Sequence, residues 1–261
     1  GIANWGASQT YNLTVNFTDL LPWDAASVDT TALSLSANDV RRVNVSINGS
    51  KLALDEEYEA LFTISNGSKN FATIHLFVTL HTPVRNIDIG KKYPTIQEAI
   101  NDPETIDGHT ITIDPGEYVE NVFVNKSITI IGNGPKESII IKANDLNSSV
   151  IYIENASNAR LDNLVLQEGR CGISLYNVSN FTISNVKAVN NVYGILLTSS
   201  SNNTINDSVI SQNDYGIALI NSSYNTIKVN EILNNDKGFY LNNSSSNLIY
   251  LNYFNNTNNT Y

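Results

Sequence analysis

Residues 211–219 read SQNDYGIAL. Residues 189–197, one step of 22 earlier, read VNNVYGILL, and residues 233–241, one step later, read LNNDKGFYL. With glycine as slot one, Gly172, Gly194, Gly216 and Gly238 open four consecutive 22-residue units. Slot two holds Ile173, Ile195, Ile217 and Phe239, and slot four holds Leu175, Leu197, Leu219 and Leu241. Slot eight is Ser179, Ser201, Ser223 and Ser245; slot twelve is Ile183, Ile205, Ile227 and Ile249. Slot twenty is Asn191, Asn213 and Asn235, then Thr257. Residues 150–171 fit one unit earlier, with Ile151, Ile153, Ser157 and Leu161 in register. A period this regular is read before any local propensity, because it decides the architecture.

Within a unit the apolar residues alternate, as in Gly-Ile-x-Leu, which is strand periodicity. Helical spacing is absent and β-branched residues are frequent. Twenty-two residues are too few for a four-stranded propeller blade. They suit one coil of a parallel β-helix, two or three short strands joined by turns and stacked at ~4.8 Å. Equivalent slots then form ladders: Ile on Ile and Leu on Leu inside, Asn191 on Asn213 on Asn235 at a bend. An inward Asn ladder satisfies turn backbone groups and its own amides from coil to coil. The repeated glycine marks a bend with unusual φ or a tight contact.

The stretch YPTIQEAIND (93–102) places Ile96, Ala99 and Ile100 on one helical face, and Thr95 with Glu98 forms a capping box. A helix over 95–101 would cover the open apolar end of the first coil. HTITIDPGEYVENVFVNKSITIIGNG (109–134) alternates as strands between Gly and Asn turns. From about residue 107 to 261 the length suits about seven coils of 22 residues. This opening resembles that of pectin-lyase-like right-handed β-helices, including pectin methylesterases. The later NNTI and SQNDYGI units resemble the repeats of the NosD-like group and of archaeal, especially methanogen, surface proteins. The resemblance covers residues 93–261 and implies the fold. Function is left open, because this architecture serves lyases, hydrolases, esterases, adhesins and surface-layer proteins alike.

Residues 1–82 have another texture. TYNLTVNF, TALSLS, RRVNVSING, YEALFTIS and FATIHLFVTLH read as strands of alternating polarity, separated by turns such as Asn48-Gly49 and Asn66-Gly67. Their spacing suggests an antiparallel sandwich, and 43–80 resembles the immunoglobulin-like modules of prokaryotic surface proteins. The expected organisation is all-β: an immunoglobulin-like sandwich over 1–82, a linker over 83–92, and a right-handed parallel β-helix over 93–261.

Composition narrows the function. Charged residues make up 15% of the chain and the net charge is −10, which leaves no basic surface for nucleic acid. No run of 18 apolar residues provides a spanning helix. The chain opens at Gly1 and has no methionine, so a processed chain or a fragment is expected. Cys171 is the single cysteine, so no intrachain disulfide forms. Asparagine is abundant, 40 residues, and seventeen Asn-x-Ser/Thr sequons stand where about seven would arise by chance. They are Asn12, Asn16, Asn44, Asn48, Asn66, Asn125, Asn147, Asn155, Asn177, Asn180, Asn202, Asn206, Asn221, Asn242, Asn243, Asn255 and Asn258. The excess points to an N-glycosylated protein outside the cell.

Catalytic groups are sparse. Of the methylesterase motifs, only Gly116-Glu117-Tyr118-Val119-Glu120 matches; QDT and DFIFG strings are missing, as is the Gly-His-Gly of glycosidases of this fold. Asp214 and Asp236 share slot twenty-one, ~5 Å apart if stacked, and form a candidate Ca²⁺ pair. The bland reading is two solvated turn residues. Lys237 and Tyr215 beside them are the candidate base and acid of a lyase. Copper handling, which the NosD-like resemblance implies, is poorly served by one Cys, no Met and the dispersed His75, His81 and His109. Cys171 reads as a bend residue rather than a nucleophile. Tyr193, Tyr215, Tyr224, Tyr240 and Tyr253 are candidates for stacking on sugars.

The sequence reading is a structural, extracellular cell-surface glycoprotein: a rigid module of a surface layer, sheath or adhesive filament. The alternative is a carbohydrate-active enzyme or glycan-binding module, and a third reading is a calcium-stabilised adhesin. No cofactor is expected beyond structural Ca²⁺. Expected partners are cell-surface glycans, and further domains or a second copy at the last coil, whose NNTNNTY ending offers no cap.

Overall fold

The computed structural model describes residues 82–259 continuously and, before them, Asn44 and the strands named next. The chain divides into two compact units, 1–82 and 83–261. In the first, strands Ala32–Leu35, Gln9–Phe17, Glu57–Ser65 and Asn70–Thr79 form a four-stranded antiparallel sheet in that order. Two short antiparallel pairs accompany it, Ala26–Val28 with Val45–Ile47 and Ile2–Ala3 with Val40–Arg41. Packing of these sheets into an immunoglobulin-like sandwich lies outside the described residues.

The second unit is a right-handed parallel β-helix of about seven coils, with three strands per coil. One coil shows the plan: strands Cys171–Tyr176, Thr182–Ser184 and Lys187–Val189 each pair, in parallel, with the strand 22 residues on. Stacking builds three sheets of nine, seven and six strands. The six-stranded sheet carries the longer strands. Inside, the expected ladders form in register. Ile151, Ile173, Ile195, Ile217 and Phe239 make one; Leu161, Ile183, Ile205, Ile227 and Ile249 make another. All but Phe239 and Ile249 are fully buried, and each such side chain stabilises the fold by about 1.5–3 kcal/mol.

Two expectations are corrected. Residues 83–92 are not a linker: Val84–Asn86 and Lys91–Tyr93 form a hairpin that joins Thr110–Ile113 at the edge of the nine-stranded sheet, with Val84 and Tyr93 in the core. Its alternation of buried and exposed residues (Val84, Arg85, Asn86) is too short to stand out in sequence. The 22-residue period also does not reach the first coils. Thr110 pairs with Thr129, Ile130 with Leu161 and Val122 with Ile151, separations of 19, 31 and 29 residues. The excess is the loop over 143–149, which projects beside the six-stranded sheet.

Between hairpin and first coil, a helix spans Ile96–Asn101 and sends Ile96, Ala99 and Ile100 into the core. Thr95 Oγ1 accepts the Glu98 N–H at 3.1 Å. The Glu120 carboxylate accepts the N–H groups of Ile96 and Gln97, so both orphan donors and the positive end of the helix meet an anion.

Candidate functional site

The corners come first, because they fix everything displayed outside. Among the described residues nineteen non-glycine residues have positive φ, and they fall into four columns. These are Asn155, Asn177, Ser199, Asn221, Asn243; Asn158, Asn180, Asn202, Tyr224, Ser246; Asn163, Asn185, Asp207, Val229, Leu251; and Glu168, Asn190, Gln212, Asn234. Asparagine tolerates the left-handed region best among residues with a Cβ, which accounts for much of the Asn content.

Beneath these corners run buried polar ladders. Asn213 Oδ1 accepts the Asn191 N–H at 2.9 Å, and Asn235 Oδ1 accepts the Asn213 N–H at 3.0 Å. Their Nδ2 groups donate to carbonyls of the coil before: Asn191 to Leu166, Asn213 to Ala188, Asn235 to Ile210. The last rung is Asn256, not Thr257: its Oδ1 accepts from Asn235 and its Nδ2 donates to Ile232. The final coil is one residue shorter at this corner. Three further ladders escaped the sequence reading: Ser200, Ser222, Ser244; Asn203, Asn225, Asn247; and Ser208, Asn230, Asn252. Each starts by accepting the N–H of an apolar residue, Val178, Phe181 or Val186. Those apolar starts disguise the columns. The 22-residue spacing of Asn203, Asn225 and Asn247 was the available signal.

The glycines obey packing, not φ. A Cβ on Gly172, Gly194 or Gly216 would lie 2.7, 2.6 or 2.5 Å from the carbonyl oxygen of the next glycine in the series. On Gly238 it would lie 2.5 Å from Asn256 Nδ2.

Of the sequon asparagines, Asn44, Asn125, Asn147, Asn155, Asn177, Asn180, Asn202, Asn221, Asn242, Asn243, Asn255 and Asn258 are exposed, and Asn206 is half-buried. The side chains of Asn12, Asn16, Asn48 and Asn66 lie outside the described residues, as does His81.

The outer face of the six-stranded sheet carries the aromatic residues. One column runs Phe123, Tyr152, Ser174, Leu196, Ala218, Tyr240; a second runs Cys171, Tyr193, Tyr215, Lys237. Phe123 stacks on Tyr152 with ring centroids 5.9 Å apart, and Tyr193 on Tyr215 at 4.8 Å. Lys237 Nζ lies 4.8 Å from the Tyr215 ring centroid and donates to the Tyr215 hydroxyl at 3.3 Å. The structure thus brings the candidate acid and base together, on each other. The Lys237 N–H donates to the Asp214 carbonyl at 2.9 Å, but no side-chain hydrogen bond or ion pair joins Tyr215 or Lys237 to the Asp214 or Asp236 carboxylate among the described residues. Those two carboxylates occupy equivalent exposed positions on successive coils, and supply at most four of the six to eight oxygens Ca²⁺ takes. Tyr224 and Tyr253 are exposed, while Tyr193, Tyr215 and Tyr240 are half-buried in the stack.

Beside the Phe123–Tyr152 pair lies a cavity of about 440 Å³, lined by those two rings, Arg170, Ser174, Leu196 and the loop over 147–149. Asn121 ties that loop down, donating to the Asp145 and Ser149 carbonyls and accepting the Asp145 N–H. The Ser148 hydroxyl and the Asn147 N–H hold the Asp145 carboxyl below its usual range. Cys171 opens a strand instead of making a bend. It is buried, and burial pushes its thiol pKa up, away from nucleophilic character.

Among the described residues the donor set does not fit copper: His75 pairs with Glu59 and the His109 ring with Asn86, and no group of three His, Cys, Asp or Glu converges. No helix among them is long and apolar enough to cross a membrane.

A cell surface glycoprotein of Methanothermus fervidus is 42% identical over 90 residues, 34% of this chain and 14% of the relative; the match thus spans about one seventh of that protein. Among solved structures, an alginate lyase from Paenibacillus sp. overlaps at a TM-score of 0.45 and 15% identity, covering 57% of this chain and 62% of the lyase. The catalytic domain of a GH87 alpha-1,3-glucanase, in complex with nigerose, overlaps at 0.47 and 16% identity, covering 94% and 52%. Overlaps this loose carry no information on activity. Residues 84–261 match the family described as periplasmic copper-binding protein (NosD), and the chain belongs to that NosD family.

Proposed function

We propose that the protein is a structural cell-surface glycoprotein whose β-helix is a rigid rod in a surface layer, sheath or filament. The carrying observation is the unbroken ladder system. From Val150 onward every coil repeats the same strands, and from the coil opened by Gly172 onward Asn and Ser side chains cross-link each pair of successive coils at four positions. Such a solenoid is stiff because each coil is hydrogen-bonded along its whole circumference to the next. The exposed sequons on its corners would carry N-glycans. The name of the Methanothermus fervidus relative supports the surface assignment.

In this reading the N-terminal strands fold as an immunoglobulin-like sandwich, and the helix Ile96–Asn101 closes the first coil. The last coil leaves Leu248, Leu251 and Tyr253 exposed, an edge suited to further β-structure or a second copy. Asp214 and Asp236 would act as a weak Ca²⁺ pair, visible as a fall in melting temperature under EDTA. Immunogold electron microscopy of intact source cells, with antibody to residues 83–261, tests the assignment. Label on an ordered outer layer is expected; label confined to the cell interior overturns it.

A further inference from the structure

The strand Asn70–Thr79 is an outermost strand of the four-stranded sheet. Glu57–Ser65 pairs with it on one side, and no strand pairs with it on the other among the described residues. An open strand edge is a row of unpaired N–H and C=O groups, and natural edges are shielded by Lys, Pro, inward charges, bulges or short length. This strand is ten residues long, and NFATIHLFVT contains no Pro, Lys, Arg, Asp or Glu. The one irregularity of its ladder falls between Ile64 and Ser65, so residues 73–79 run regularly. Its single titratable residue, His75, is held by Glu59 of the paired strand. Both faces are apolar as well. Side chains alternate between them, so Ile74, Leu76 and Val78 share one face and His75 and Phe77 the other. Ile74 is 54% and Phe77 59% exposed, and His75 stacks on Phe77 with ring centroids 6.4 Å apart. Apolar residues on both faces are the pattern of a strand inside a sheet, not of an edge.

The sequence also selects the edge it accepts. Residues 73–79, TIHLFVT, are matched about Leu76: Thr73 with Thr79, Ile74 with Val78, His75 with Phe77. An antiparallel second copy, related by a two-fold axis through Leu76, sets Thr opposite Thr, Ile opposite Val and His opposite Phe, pairs of the kind that stabilise sheets. The charges agree. Each His75–Glu59 pair stays within its own copy, whereas an axis through His75 would set two imidazoles against each other. No Asp or Glu lies between Glu59 and Asp88, so this edge is spared the repulsion that a net charge of −10 brings between copies. The opposite edge of the sheet, Ala32–Leu35, has four residues, too few to pair with all of 73–79.

We propose that residues 73–79 form a homodimer interface: two copies join edge to edge, antiparallel about Leu76, and their two sheets become one. A two-fold contact of this kind is self-complementary and closes on itself. It lies in the first unit, so it holds independently of the surface-scaffold role and of whatever meets the last coil.

Sedimentation of the full chain across a concentration series tests it, and a dimer is expected. Thr73 and Thr79 are exposed and meet across the two-fold. Thr73→Lys with Thr79→Lys puts like charges there, and should raise the dimer dissociation constant at least about tenfold. Thr73→Glu with Thr79→Lys puts opposite charges there and should leave the dimer intact. Leu76→Cys places two thiols on the axis. Directly opposed strand Cα atoms, about 4.5–5.5 Å apart, are within disulfide reach, so the oxidised variant should run as a covalent dimer. Ile74→Cys, whose counterpart lies about 14 Å away along the strands, should not; the native Cys171 is buried. A monomeric wild type, equal dissociation constants for the two charge variants, or cross-linking of Ile74→Cys as readily as of Leu76→Cys would each overturn the proposal. If Leu76→Cys fails to fold, the charge variants decide, since they alter exposed threonines alone.

Discussion

Gly194 and Asn213 share one space: a Cβ added to Gly194 would stand 2.9 Å from Asn213 Nδ2, 2.5 Å from the Ile210 side chain and 2.6 Å from the Gly216 carbonyl. The glycine is thus a condition for the ladder. Only a bare backbone lets the Asn amide lie across it and reach the coil before. Gly194→Ala should destabilise the β-helix by about 3 kcal/mol, the upper range for overpacking. Denaturant unfolding checks it, and a neutral variant would show that the glycine answers another need.

Asn213 supports two coils at once. Asn213→Ala leaves the Asn191 N–H and the Ala188 carbonyl without partners, each worth about 1–3 kcal/mol when buried. Asn213→Asp keeps the acceptor but loses the donor and buries a charge. Its folded pKa is raised above the unfolded value, so the variant is most stable below about pH 3.9. That stability is lost as pH rises through the folded pKa. Unfolding midpoints of both variants across acid pH provide the check; an Asp variant indifferent to pH would contradict a buried ladder.

Val229 holds φ 58° in a column otherwise led by Asn163 and Asn185. A β-branched residue pays about 1–2 kcal/mol there. Because Val229 is 47% exposed, its burial returns little. Val229→Asn should raise stability by about 1 kcal/mol, measured by calorimetry. A loss would mean that its side chain packs in some essential way.

The hairpin and first coil carry a pH signature. Burial, then the hydrogen bond to Asp102, pushes the Tyr93 phenol up to about 12. Burial, then the Asp114 and Glu120 charges, does the same for Tyr118, also to about 12. Both folded values exceed the ordinary 10, so their contribution is complete below pH 10 and is lost as pH rises toward 12. Tyrosinate absorbance should show late-titrating phenols, and Tyr93→Phe with Tyr118→Phe should remove the two that titrate near 12. Titration of every tyrosine near pH 10 would contradict the packing of this end.

The sequence showed the repeat, the strand type, the Ile and Leu ladders and one Asn ladder, because those features recur at identical slots. It hid the other three ladders, where Val178, Phe181 and Val186 stand in the first rung. It hid the shift from Thr257 to Asn256, because a one-residue shortening looks like a mismatch. The hairpin over 84–93 reads as a linker in sequence because its partner strand, Thr110–Ile113, is distant along the chain. The cavity at Ser174 was illegible for a similar reason: it depends on the loop over 143–149 folding against residues that precede and follow it by about a coil.

Glycopeptide mapping of the protein from its native source tests the surface-glycoprotein account most directly. Glycans on exposed corner asparagines such as Asn177, Asn180, Asn202 and Asn221, with the half-buried Asn206 unmodified, are the predicted result. Bare asparagines at every exposed sequon would contradict it.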